Sequence, residues 1–79
     1  MKTGFYEVYR DGHGDVRDRI EEAVADFYRR HNALPAEIVV PRSQVDEVAT
    51  ALKALGLSIP VVTSGGCLAG EVWMGVGDD

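Results

Sequence analysis

Ala36-Glu37-Ile38-Val39-Val40, a run from Gln44 to Leu55, and Ile59-Pro60-Val61-Val62-Thr63, closed by Ser64, form the stretch whose reading decides the fold. The outer runs are β-branched and apolar, which suits a pleated surface. The middle run places Val45, Val48, Ala49, Leu52 and Leu55 at helical spacing. Strand, helix, strand at this length predicts a parallel crossover unit, right-handed in nearly all proteins. Pro41 closes the first strand because it lacks a ladder donor. Ser43 is the expected cap of the helix, with Asp46 three residues on, and Gly56-Leu57 the expected left-handed stop.

Toward the N-terminus, Phe5-Tyr6-Glu7-Val8-Tyr9 reads as a strand and Arg10 to Gly14 as a glycine-punctuated turn. Asp15 is placed to cap a helix over 16–31, whose apolar stripe is Val16, Ile20, Val24, Phe27 and His31. Asn32 ends it and Pro35 prevents its continuation. Toward the C-terminus, Ser64 to Gly70 is too short to cross over, so a hairpin is expected. It would lead into a last strand, Glu71 to Val76, with Gly77-Asp78-Asp79 as a loose acidic tail.

The order is β-α-β-α-β-β in one domain, 1–79. The expected class is α/β, with a mostly parallel four-stranded sheet and an antiparallel C-terminal hairpin strand. Two helices on one face make it two-layered; strand one in the middle would instead send them to opposite faces.

The chain has 79 residues, thirteen acidic and eight basic, and a net charge of −5. A domain of this size buries only roughly 60% of the surface its unfolded chain exposes, so association with a second chain would add stability. The charge argues against a sequence-independent nucleic-acid binder and favours basic partners. One cysteine, Cys67, makes no internal bridge; no secretory signal or membrane span is read, and a soluble protein in a reducing cytoplasmic setting is expected.

Two surfaces are candidates for function. In the last strand Val72, Met74 and Val76 alternate with Glu71, Trp73 and Gly75, and the first set suits the helix-covered face. Trp73 then projects outward, and with Val39 and part of the Phe5/Tyr9 set it makes an apolar patch fit for a partner protein or a second copy. A loop, the tail or the second helix covering that patch is the simpler alternative. The second candidate is the rim at the carboxyl ends of the parallel strands, where Asp11, His13, Asp15, Arg42, Ser43, Thr63, Ser64 and Cys67 gather. Both helices start there, so an anion has N–H groups to meet.

Within the rim, Cys67 with His13 as base is the nucleophilic reading, against that of a small apolar filler. Asp11-x-His13-x-Asp15 has the residue types of a metal site, but on a turn they more commonly make caps. Gly12-His13-Gly14 lacks the third glycine of a dinucleotide fingerprint, and no phosphate-loop signature follows either glycine-rich turn. The acidic side of the first helix resembles a phosphate track interrupted by Arg17, Arg19, Arg29 and Arg30. No constellation names a reaction or a cofactor. Compactness, acidity and the missing catalytic signature resemble small adaptor or inhibitor proteins, including those encoded on phages and mobile elements. The expected function is a protein-binding module, acting as a homodimer or by docking through the outer sheet face. The alternative is a small-ligand or anion site, with catalysis as one use, at Asp11, His13, Arg42, Ser43 and Cys67.

Overall fold

A computed structural model describes residues 2–10 and 15–78 of the chain. The elements are β1 (Lys2–Tyr9), α1 (Val16–His31), β2 (Ile38–Val40), a single 3-10 turn (Arg42–Gln44), α2 (Val45–Ala54), β3 (Val61–Thr63) and β4 (Val72–Asp78). The class is α/β with a four-stranded mixed sheet, as the element order predicts.

Both ends of α1 follow from local chemistry. The Asp15 carboxylate accepts from the Asp18 N–H at 2.9 Å, and Asn32 takes up the left-handed conformation (φ 54°) while its N–H donates to the Tyr28 carbonyl. The start of α2 differs from expectation. Ser43 lies inside the 3-10 turn and Gln44 occupies the cap position with no side-chain bond. The turn itself satisfies the entering backbone, so no hydroxyl cap is needed. At the other end Gly56 has φ 75°. Leu57 N–H donates to the Leu52 carbonyl and Gly56 N–H to the Lys53 carbonyl, the two bonds of a Schellman stop.

The sheet order is β1-β4-β2-β3. Only β2 and β3 pair in parallel; β4 runs antiparallel to both β1 and β2, so most of the ladder is antiparallel and the expected mostly parallel sheet is corrected. The expected β3–β4 hairpin is corrected too. After β3 the chain skips β2 and inserts β4 between β2 and β1. An antiparallel return does not have to travel back along the sheet, so the short connection need only span two strand spacings, about 10 Å. Gly77 and Asp78, expected in a loose tail, are the last residues of β4, in register with Thr3 and Lys2.

The central position of β4 explains the core. Val72 and Met74 lie inside it with Ile38 and Val40 of β2, Ile20, Val24 and Phe27 of α1, and Val48 and Leu52 of α2. Both helices contribute to this single cluster and contact each other, so they share one face of the sheet and leave the other without a helix.

Candidate functional site

The alternation along β4 sends Val72, Met74 and Val76 to the helices and Trp73 to the opposite, helix-free face. Trp73 is held from three sides. Its ring tilts against Tyr6 of β1 with centroids 5.7 Å apart, and Gly66 lies so close that a Cβ there would come to 3.4 Å from the indole. Its Nε1 donates to Glu71 Oε1 at 3.4 Å. Tyr6 in turn donates its hydroxyl hydrogen to Glu37. Around this indole the face exposes Tyr6 and Val8 on β1 and Val62 on β3, 39%, 47% and 38% accessible, with Leu68 exposed on the connection leading to β4.

The partner-binding residues expected from sequence divide. Trp73 faces outward as predicted. Val39 is on the same face by alternation but only 3% exposed, because it sits mid-sheet between its register partners Trp73 and Val62, with the Cys67 sulfur 3.7 Å from its carbonyl oxygen. A residue so enclosed offers no docking surface.

Tyr9 and Phe5 belong to the helix side. The Tyr9 hydroxyl donates to Asp26 of α1 at 3.0 Å, and the Phe5 ring meets His31 edge-on at 6.4 Å. Glu7, of the same parity, pairs with Arg30 and lies 3.4 Å from His31 Nε2. In their place the outer face holds Tyr6 and Val8. Alternation in β1 pointed to these two as soon as Phe5, Glu7 and Tyr9 were assigned to α1.

Of the rim residues, Asp11 and His13 lie outside the described residues. Arg42 and Ser43 are exposed on the 3-10 turn, and Asp15 is spent on the α1 cap. Among the described residues no group of three or more His, Cys, Asp or Glu is arranged to hold a metal ion.

Cys67 is buried, its sulfur 3.5 Å from the Glu71 carbonyl oxygen, and burial together with the Glu71 charge pushes its thiol above the ordinary range. A raised thiol pKa is the reverse of what a thiolate nucleophile needs. Cys67 therefore behaves as the small apolar filler.

Glu71 is the residue sequence reasoning passed over. It is 8% exposed and accepts from the Leu68 N–H at 3.0 Å, from Arg10 Nε at 2.9 Å and from the indole. These donors, the Leu68 backbone bond foremost, hold its carboxyl below the usual carboxylate range against the opposing effect of burial. The Glu71 N–H also donates to the Leu68 carbonyl, with Gly70 at φ 85° where a type II turn requires it. The turn is thus clamped in both directions. Both of its oxygens accept internal hydrogen bonds, so Glu71 fixes the shape of the segment beside Trp73. Local sequence carries no sign of this beyond Gly70-Glu71 at the turn's end.

No helix among the described residues is long and apolar enough to cross a membrane. Set against protein-family models, curated proteins and solved structures, the chain matches none of them.

Proposed function

We propose that this chain is a protein-binding module that docks through the helix-free face of its sheet. One observation carries the reading: Trp73, wedged between Tyr6 and Gly66, stands on a face that also exposes Tyr6, Val8, Val62 and Leu68 and that neither helix covers. A pre-positioned indole loses little conformational freedom on binding, and Trp and Tyr dominate the centres of protein interfaces. The partner is a protein with an apolar centre and a basic surround, because the chain carries a net charge of −5 and Glu37 borders the patch beside Tyr6. An adaptor or inhibitor of this kind needs no cofactor. The buried, free Cys67 is consistent with a reducing cytoplasmic setting.

The test is affinity capture from native lysate with the wild type, Trp73→Glu, Val62→Lys and the helix-side control Tyr28→Lys, followed by binding of the purified partner. A protein retained by the wild type and by Tyr28→Lys but lost by both face variants supports the reading. Equal retention by Val62→Lys and Trp73→Glu, or capture of nothing, removes it.

A further inference from the structure

From the edge of the sheet we infer that the protein self-associates, β1 pairing antiparallel with β1 of a second copy into one continuous eight-stranded sheet. This goes beyond the face-docking proposal and uses a different surface. β1 is the end strand of the order β1-β4-β2-β3, and no described segment pairs with its outer side. An end strand presents a row of unpaired N–H and C=O groups, which folded proteins normally blunt with proline, exposed charge or shortness. At the opposite edge β3 is blunted: it has three residues and is preceded by Pro60. β1 has eight residues and no proline, spanning about 27 Å. Its register shift between Thr3 and Phe5 confines any irregularity to its first residues.

The side chains name what would cover this edge. Phe5, 55% exposed, lies on the helix side, whereas Tyr6 and Val8 lie on the outer side. A body placed on either face covers one set only. A strand laid alongside β1 covers both, since its own side chains alternate in the same way.

Charge permits a second copy, and an eight-residue strand is its own match in length. Residues 2–10 contain Lys2, Glu7 and Arg10, a net +1, so the remaining residues carry a net −6. Glu7 is already engaged by Arg30. Joining two β1 edges therefore sets no net-acidic segment against another along the seam. A two-fold axis perpendicular to the sheet maps outer face onto outer face, so the two Trp73 patches end on one side of the dimer.

Sedimentation of the full chain over a wide concentration range, with amide hydrogen exchange at low and high concentration, tests this. Expected is a concentration-dependent dimer in which alternate amides of β1, those not bonded to β4, gain protection at high concentration. Phe5→Lys, which places an ammonium group at the seam on the helix side, away from the Trp73 face, should weaken it by about tenfold or more. Its folded state is checked by Trp73 emission. A chain that stays monomeric overturns the inference. So does a dimer indifferent to Phe5→Lys, or one whose β1 amides gain no protection; that last measurement, made on the wild type, decides even if Phe5→Lys fails to fold. Loss of the dimer with partner capture intact would separate this inference from the face-docking reading, and the reverse result would separate them equally.

Discussion

Met74→Ala tests the central placement of β4. Met74 is fully buried in the middle of that strand, opposite Ile38 of β2 and Glu7 of β1 in the ladder. Truncation to alanine removes the two terminal carbons and the sulfur. At about 0.8 kcal/mol per buried methylene-sized group the transfer loss is about 2.4 kcal/mol. The cavity adds to this at roughly 24 cal/mol per Å³ that the walls fail to fill. Those walls are the two helices on one side and paired strands on both flanks, so collapse is limited, and a total of about 3–4 kcal/mol is expected. Against a whole-chain stability of about 4–12 kcal/mol for 79 residues, that is a large share. Val62→Ala, a substitution on the exposed edge strand β3, should cost under about 1 kcal/mol. Urea unfolding followed by emission of Trp73, the single tryptophan, measures both. If Met74→Ala costs less than about 1.5 kcal/mol, or no more than Val62→Ala, β4 is not enclosed by two neighbours and the core described above is wrong.

Gly56→Ala forces a side chain into φ 75° with open space around it, so the loss is backbone strain alone, about 1 kcal/mol by the same urea assay. Cys67, buried with a raised thiol pKa, should react with iodoacetamide only as fast as the chain opens, and promptly in urea; rapid labelling of the native protein would contradict its burial. Burial and the Asp26 bond push the Tyr9 hydroxyl up to about 12, so the folded state holds that proton beyond its unfolded value near 10. The stability this contributes is fully present below about pH 10 and lost as pH rises to about 12, and Tyr9→Phe should flatten that decline. Glu71 is shifted the other way. Its contribution is present above the unfolded carboxylate range and lost as pH falls through its lowered folded value, so a urea midpoint less acid-sensitive in Glu71→Gln than in the wild type is the expected result.

Local chemistry was legible in the sequence and pairing was not. Asp15, Asn32 and Pro35 bound α1 through contacts a few residues long, and its observed span is the expected one. The parity of β4 was equally readable, because Val72, Met74 and Val76 repeat at period two. Which strand lies beside which depends on contacts such as Thr3 with Gly77, which no local pattern records. From that one gap came the hairpin, the supposed mostly parallel sheet and the misplacing of Val39 on open surface. The Phe5/Tyr9 assignment failed for a related reason. Aromatic residues on both faces of β1 give no hint of which face meets a helix, and the answer lies in Asp26, Arg30 and His31 on α1.

The insertion of the last strand between the first two has a consequence for synthesis. Until residues 72–78 have left the ribosome, β1 has no strand partner among the described residues and β2 has only the short β3. The nascent chain can build α1, α2 and the β2–β3 unit, yet its sheet stays split, with Phe5, Tyr6 and Val8 in water. Assembly is therefore a late event that closes the two ends of the described chain upon each other, and loss of β4 would leave the rest without a centre.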